Sequence, residues 1–237
     1  LSYFLPSRAT IVGLIVFAVI SIYTDGRSLG ALCLIVAGIM YIRMKRPGGL
    51  TLSPSALVKI LMVAIMLITL LNVLMSQTQD GFSDRRESSS SGRFAAIRIG
   101  LVAISDSPVL GHGSWGEGTE KYADMIYKDL LPVMKELGRA KQWEKSDIFR
   151  PHSQLLQSWV EGGILAAIFF LFLGYQIIVG LKQIILTRQL DYLTPLYSFL
   201  LILSLWHLIM SPYSGSHRMQ IALAIAVLCS LRLGRKD

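Results

Sequence analysis

The sequence predicts an all-α, polytopic membrane protein with about six transmembrane helices and a large helical loop on one side of the membrane. Its 237 residues are 53% hydrophobic and only 16% charged, whereas a soluble domain usually carries about a quarter charged residues. The apolar residues cluster into runs, and the basic residues flank these runs asymmetrically. These three observations argue against a soluble globular domain.

The apolar runs divide into three long and three short ones. A transmembrane helix needs about 20 mostly apolar residues. The best candidates are Ala56–Ser76, Gly163–Leu181 and Leu193–Met210, and the shorter ones are Ala9–Thr24, Ser28–Ile42 and Met219–Leu231. We therefore expect three spans in residues 1–76, a loop domain in 77–161 and three further spans in 162–237.

The basic residues orient these spans. If the chain starts inside the cytoplasm, the inner flanks hold Arg8, Arg43, Lys45, Arg46, Lys59, Lys182, Arg188, Arg232, Arg235 and Lys236. The short outer turns hold only Arg27 and Arg218, which is the asymmetry of the positive-inside rule. The net charge of +8 therefore reflects topology, and no basic stripe interleaved with aromatic residues predicts a nucleic-acid partner.

The loop domain begins with a segment that reads as a link and continues as a helix. Asp80–Gly92 is rich in Ser, Asp and Gly and predicts a flexible connection. Arg93–Ser105 predicts a helix at the membrane interface, because four large apolar residues recur at helical spacing: Phe94, Ile97, Leu101 and Ile104. Arg93 and Arg98 would then lie at headgroup depth. An ordinary packed helix with snorkelling arginines is the alternative.

A glycine-rich motif and a second helix follow. Gly111–Gly118 matches G-x-G-x-x-G by letter, but no strand precedes it, so a dinucleotide site is rejected. What remains is a sharp turn or a close backbone approach, with His112 as a candidate polar contact. Lys121–Glu144 predicts a solvated helical cap, and Pro132 is a candidate break. The candidate buried stripe of this helix consists of Tyr122, Ile126, Leu130, Val133 and Leu137.

His152 stands at the predicted start of the next helix. Pro151 favours the first helical turn, so His152 would lie near unpaired N–H groups that attract anions and favour a neutral imidazole. A helix-capping or surface histidine is the alternative. Glu161 lies nine residues further and points roughly the opposite way; it orients a neighbouring element, contacts a sugar hydroxyl or marks the water boundary. Arg218 begins the last helix on the same side and either reaches a phosphate or anchors the interface.

Cysteine and histidine usage predicts no metal site and no cofactor. Cys33 and Cys229 fall inside predicted spans and read as packing residues. No His/Cys cluster has the spacing of zinc ligands.

Four motifs resemble a known family. They are Ser91-Gly-Arg93, Ile104-Ser-Asp-Ser-Pro108, Gly111-His-Gly-Ser-Trp115 and Pro151-His-Ser-Gln-Leu-Leu-Gln-Ser-Trp-Val-Glu-Gly-Gly-Ile164. In order, spacing and predicted outer-side placement they resemble the O-antigen ligase and Wzy-type polymerase superfamily. The resemblance covers roughly Leu71 to Leu181. Because members usually have ten or more spans, it implies that the chain corresponds to a carboxy-terminal half with the large periplasmic loop.

The resemblance also implies an activity and its residues. It implies a metal-independent transfer, at the bacterial inner membrane, of a glycan from an undecaprenyl-pyrophosphate carrier to a lipid A-core sugar or another lipid-linked glycan. His152 matches the loop histidine that the family requires, and Arg93 matches the arginine expected to hold the pyrophosphate. Arg98, His112, Glu161 and Arg218 are the further substrate-binding candidates.

Two other classes of function remain open. A transporter or channel would also have many spans and polar outer loops, but transport sites usually place ionisable groups or broken helices at mid-membrane. The three best candidate spans carry a single charge, Lys59, close to an end. A non-catalytic assembly or sensor protein would use the loop domain as a binding module. Within the enzyme class, the sequence does not separate a ligase from a polymerase.

Overall fold

The computed structural model describes residues 7–23, 27–45, 80–113, 118–136, 149, 151–186, 193–211 and 215–233. Within these ranges the protein forms seven α-helices and no strand, which confirms the all-α prediction for the described part. The helices are α1 Ser7–Tyr23, α2 Arg27–Lys45, α3 Asp80–Asp106, α4 Glu120–Glu136, α5 Gln154–Leu186, α6 Thr194–Met210 and α7 Gly215–Leu233.

One described helix is long and apolar enough to cross a membrane. This is α5, with 33 residues and a mean hydropathy of 2.4 over its most apolar stretch. The shorter apolar helices are Arg8–Tyr23, Ser28–Met44, Thr194–Met210 and Met219–Arg232. A 17-residue helix is about 25 Å long at 1.5 Å per residue, slightly less than the hydrocarbon core. The six-span architecture therefore stays a prediction, and the expected span Ala56–Ser76 lies outside the described residues.

The chain divides into two compact units. The first comprises Leu1–Leu74, Gln176–Ser204 and Gln220–Asp237. Within it, α1 and α2 pack closely at Gly30, because a Cβ added there would lie 2.8 Å from the Ala18 carbonyl oxygen. Large apolar side chains of α1 such as Val12 and Val19 are exposed while Ala18 is fully buried. This arrangement, with small residues between helices and large ones outside, is typical of helices that face lipid.

The second unit comprises Met75–Tyr175 and Leu205–Met219. Its core joins α3, α4 and the beginning of α5, and its members are Ile99, Ala103, Ile104, Tyr122, Ala123, Phe149 and Val160. Tyr122 and Leu130 are buried along α4, which confirms these two members of the predicted stripe. The helix also continues through Pro132 to Glu136, so the proline does not end it.

The prediction of a flexible link over Asp80–Gly92 is wrong, because α3 begins at Asp80. Serine and glycine lower helix propensity by less than about 1 kcal/mol per residue. Once the helix over 93–106 exists, each added residue gains a backbone hydrogen bond without a new nucleation cost. A polar composition therefore does not prevent α3 from extending toward its amino terminus.

Candidate functional site

The segment Pro151–Ser153 leads into α5 and carries the candidate catalytic histidine. The predicted helix start at Pro151 is three residues early, because α5 begins at Gln154. Ser153 caps this helix: its Oγ accepts a hydrogen bond from the Leu156 N–H at 3.3 Å, the usual geometry of a serine N-cap. The same hydroxyl donates to the Leu208 carbonyl oxygen at 3.1 Å. His152 thus lies just outside the helix, on a backbone fixed by the cap that follows it.

The surroundings of His152 favour its neutral form. The residue keeps an exposed surface, yet protein atoms crowd its ring enough to lower its pKa below the ordinary value of 6.5, and the positive charge of Arg93 lowers this pKa further. Both effects penalise the imidazolium. At neutral pH the ring is therefore a base that can accept a proton.

The packing of α3 brings Arg93 toward His152. Gly100 is buried, and a Cβ added there would lie 3.7 Å from both Phe149 and Pro151, so α3 runs directly beside the segment that precedes α5. Arg93 lies seven residues before Gly100, about two turns earlier on nearly the same side of the helix. Its side chain is exposed. The charge of Arg93 thus acts on His152, and the assignment of both residues to one site stays a prediction.

Arg98 is engaged elsewhere. It forms an ion pair with Asp129 of α4, with the Arg98 side chain 68% exposed and that of Asp129 33% exposed. An exposed pair of this kind contributes little stability, but it gives the guanidinium a carboxylate partner. The substrate-binding role of Arg98 stays a prediction, and in the structure this arginine connects α3 with α4.

His112 belongs to a hydrogen-bonded group between α3 and α4. Its Nε2 donates to the Ala103 carbonyl oxygen at 2.8 Å, and its ring meets that of Tyr122 edge-on with centroids 5.2 Å apart. The Tyr122 hydroxyl donates to Asp106 Oδ2 at 2.6 Å, and Lys121 donates to the same oxygen at 2.7 Å. These hydrogen bonds, that of Lys121 first, hold the pKa of the Asp106 carboxyl below its ordinary value. His112 therefore has a structural role in the described contacts, and its role as a substrate contact stays a prediction.

The glycine motif closes on the backbone of α5 instead of on a ligand. His112 N–H donates to the Val160 carbonyl oxygen at 2.7 Å, and Gly113 N–H donates to that of Glu161 at 3.0 Å. In return, Ile164 N–H donates to the Val109 carbonyl oxygen at 3.2 Å. We name this set of three hydrogen bonds the glycine clasp.

Two glycines with positive φ make the clasp sterically accessible. Gly163 interrupts α5 with φ 64° and ψ −158°, a conformation that is essentially restricted to glycine. A Cβ there would collide with the Val109 carbonyl oxygen, and a Cβ on Gly111, at φ 73°, would lie 2.5 Å from that of Glu161. The interruption of α5 frees carbonyl groups from helical pairing, and the loop supplies the missing donors.

Glu161 lies at this interruption. One of its carboxylate oxygens accepts a hydrogen bond from Gln157 Nε2 at 2.7 Å, one turn earlier on the same helix. Because Gln157 is buried and Glu161 is only half-buried, the pair holds the carboxylate at the surface of the unit. The sugar-binding role of Glu161 stays a prediction. The backbone of Arg218 lies in the first turns of α7, and its role also stays a prediction.

Gln154 is a residue that the sequence reasoning missed. It is the first residue of α5, next to the cap, and only 1% exposed, yet its Nε2 makes no hydrogen bond within the described residues. A buried, unpaired amide donor is costly. No local pattern singles out this glutamine, because its burial depends on how α5 packs in the folded unit.

A comparison with known families decides the identity of the chain. A family model described as O-antigen ligase matches residues 10–171, well over half of the sequence. The chain belongs to the O-antigen ligase family. Members of this family act at bacterial membranes in the ligation or polymerisation of glycans, so the family suggested by the four motifs is confirmed. No curated protein and no solved structure matches the chain.

For this O-antigen ligase family chain, the match includes most of the described site. Residues 10–171 contain α3, α4, the glycine clasp and His152, while Arg218 lies beyond the matched range. Within the described residues, no group of three or more His, Cys, Asp or Glu side chains is placed to hold a metal ion.

Proposed function

We propose that this protein transfers a glycan from an undecaprenyl-pyrophosphate carrier to an acceptor hydroxyl on a lipid A-core sugar. Two observations support the proposal: α3 packs beside the segment that carries His152, and the charge of Arg93 contributes to the lowered pKa of His152. The pair offers a neutral base and a fixed positive charge at one location. Both are what a glycosyl transfer with a diphosphate leaving group requires.

The proposed reaction divides the work between these two residues. His152 accepts the proton of the acceptor hydroxyl as the hydroxyl oxygen attacks the anomeric carbon of the donor sugar. The bond between this carbon and the pyrophosphate oxygen breaks, and its electron pair leaves with the lipid-linked pyrophosphate. Arg93 stabilises the charge that develops there, because a guanidinium forms paired hydrogen bonds with phosphate oxygens.

The proposal includes the membrane setting and the partners. The α3–α4 unit would lie in the periplasm as part of the loop domain predicted for 77–161, and α5 would cross the inner membrane. The partners would be the lipid-linked donor, the glycan acceptor and membrane lipids. In support, α5 has the length and composition of a span, and the family acts at bacterial membranes.

The proposal is tested by replacing His152 in the complete gene product. We expect His152→Ala to abolish attachment of glycan to its acceptor in a complementation assay, because alanine cannot take the proton of the acceptor hydroxyl. Lys128→Ala is the matched control, since Lys128 is an exposed residue of α4 outside the proposed site. Full transfer by a His152→Ala variant present at normal abundance would refute the enzymatic proposal and favour a transport or assembly role.

A Wzy-type polymerase is the second candidate, because the family includes both activities. A deletion strain distinguishes them by gel analysis of its glycans. Loss of a ligase leaves lipid-linked polymer unattached, whereas loss of a polymerase leaves single repeat units. The first pattern supports the proposed ligase and the second supports the polymerase.

A further inference from the structure

Three strongly exposed apolar residues surround the interruption of α5. Val109 is 62% exposed, Leu110 is 83% exposed and Leu165 is 77% exposed. We name these three residues the apolar rim. Side chains of this size are usually buried in water-soluble folds, and a group of them on one surface marks a site of contact with a protein or a membrane.

The glycine clasp holds the rim as one surface. Val109 accepts the hydrogen bond of Ile164, so its backbone lies against the residue that precedes Leu165. Leu110 follows directly and is bounded by Gly111, whose backbone approaches that of Glu161. The exposed side chains of the turn therefore lie at the level where the second part of α5 begins.

The rim is continuous with the apolar exterior of α5. From Ile168 onward, this helix exposes large apolar residues in each turn, namely Ile168, Phe169, Leu171, Phe172 and Tyr175, with exposures between 51% and 61%. The same helix is the described one with the length of a span. Such an exterior is suited to lipid, and the rim extends it around the turn that ends α3.

Trp159 contacts the turn that carries Val109 and Leu110. It is one turn before Gly163, and its Nε1 donates to the Pro108 carbonyl oxygen at 3.0 Å, so the indole contacts the same turn. Tryptophan is enriched where membranes meet water, because it combines a large apolar ring with one donor. Along α5 the order is a polar and aromatic segment, then the rim, then the apolar exterior.

We propose that the apolar rim inserts into the bilayer leaflet on the side of the α3–α4 unit, so that the turn after α3 docks this unit on the membrane. The occupant of this surface is lipid, because the rim continues a lipid-suited exterior. This docking would fix the height of the unit above the bilayer. It requires that α5 spans the membrane, and it does not depend on the proposed glycosyl transfer.

The test measures the depth of a label at position 110 in the full protein reconstituted in lipid nanodiscs. The background carries Cys33→Ala and Cys229→Ala, because these are the two cysteines of the chain. Leu110→Cys is labelled with a fluorophore and quenched either by nitroxide-bearing phospholipids or by aqueous iodide. Leu165→Cys on the same surface is the positive reference, and Lys128→Cys on α4 is the water-exposed reference.

We expect the label at position 110 to be quenched by the nitroxide lipids as strongly as the label at 165, and several-fold more than the label at 128. Iodide quenching should follow the reverse order. Lipid quenching equal to that at position 128 would overturn the proposal, and so would shielding from both quenchers, which would mean that protein covers the rim. Val109→Cys provides the same measurement if Leu110→Cys does not fold.

Discussion

His152 combines two conditions that rarely occur together on one side chain. It keeps an exposed surface through which a substrate can approach, and its pKa is nevertheless below the ordinary value. Ser153 caps the start of α5 immediately after His152, so the positive end of the α5 dipole adds to the preference for a neutral ring. The helix start, the burial of the ring and the charge of Arg93 all favour the neutral form of His152.

The first prediction concerns the acidic limb of the pH–rate profile. Transfer should fall as His152 becomes protonated, and the lowered pKa places this fall below pH 6.5. Arg93→Gln removes a charge that disfavours the imidazolium, so the pKa of His152 should rise and the limb should move to higher pH. The measurement is the rate of glycan transfer by purified protein as a function of pH.

Arg98→Gln is the control for this shift. It removes the same charge from the same helix, but Arg98 pairs with Asp129 and is not among the causes of the lowered pKa of His152. Its acidic limb should coincide with that of the unmodified protein. Equal movement of the limb in both variants would show that the effect is general electrostatics and not proximity of Arg93.

Sequence reasoning points to single residues only where a local signal exists. His152 was singled out because Pro151 precedes it and a long apolar run follows. Gln154 carries no such signal, since its burial results from packing that no neighbouring residue encodes. The hydrogen bond from Tyr122 to Asp106 joins residues sixteen positions apart on different helices. Helical periodicity predicts that Tyr122 is buried, but it does not predict this hydrogen bond.

At the scale of elements, the glycine clasp explains two motifs with one contact. Gly111 and Gly163 each lie close to a carbonyl group of the other segment. A side chain at either position would therefore prevent the two segments from packing together. The sequence predicts a sharp turn or a close backbone approach at Gly111. In the structure, the backbone that lies against Gly111 belongs to α5 at Glu161 and Gly163, and no local sequence pattern indicates this pairing.

The second prediction tests the clasp through Gly163→Ala. The substitution places a Cβ against the Val109 carbonyl oxygen and forces alanine into a conformation that glycine alone adopts readily. We expect a loss of at least about 3 kcal/mol in the free energy of unfolding, seen as a large decrease in thermal stability in detergent. Gly113→Ala is the matched control, because Gly113 has φ 89° but open space around its Cα; it should cost only about 1 kcal/mol. Similar losses in both variants would contradict a role for the close approach.

The third prediction concerns the contact between α3 and α4. Tyr122 is fully buried in the core of the unit, so Tyr122→Ala should create a cavity and cost about 3–5 kcal/mol of unfolding free energy. Tyr122→Phe keeps the ring and removes only the hydrogen bond to Asp106, so its loss should be clearly smaller. Tyr122→Phe should also raise the pKa of Asp106, because it removes one of the two side-chain hydrogen bonds that lower this pKa.

These two variants are compared by thermal unfolding in detergent and by titration of the Asp106 carboxyl. If Tyr122→Phe were as unstable as Tyr122→Ala, the hydrogen bond and not the packed ring would hold the helices together. An unchanged pKa of Asp106 in Tyr122→Phe would show that Lys121 alone governs this carboxyl.

The faces of α3 show the limit of periodicity as a guide. The stripe identified from the sequence divides in the structure, with Phe94 74% exposed and Leu101 53% exposed while Ile104 is buried. The side facing α4 and α5 is instead rich in small residues, which are Ala95, Ala96, Gly100 and Ala103. Small residues allow close helix packing. A pattern of large apolar side chains alone therefore does not predict which side of α3 is buried.

For the whole molecule, apolar runs predict helices better than they predict membrane crossings. Each candidate span in the described ranges is helical, and α5 begins three residues after the predicted start at Pro151. Within α5, Gly163 has non-helical backbone angles and separates two helical segments, 154–162 and 164–186. Crossing depends on length relative to the bilayer and on tilt, which composition does not fix for helices of 17 to 19 residues.

The fourth prediction is the orientation of the chain in the membrane. If α5 spans with its amino terminus outside, a reporter inserted after Glu136 should lie in the periplasm and one inserted after Leu186 in the cytoplasm. Basic residues such as Lys182 near the end of α5 favour this orientation. An exported phosphatase, active only outside, and a fluorescent protein that matures only in the cytoplasm report the two locations. Cytoplasmic fluorescence from the insertion after Glu136 would contradict the orientation.

The glycine clasp also has a consequence for variation in chain length. Its hydrogen bonds join residues 109–113 to residues 160–164, so one residue inserted within either of these segments would disrupt the register between donors and acceptors. An insertion between Glu136 and Phe149 leaves those pairs in register. A change of chain length in that interval is therefore compatible with the backbone path of the glycine clasp.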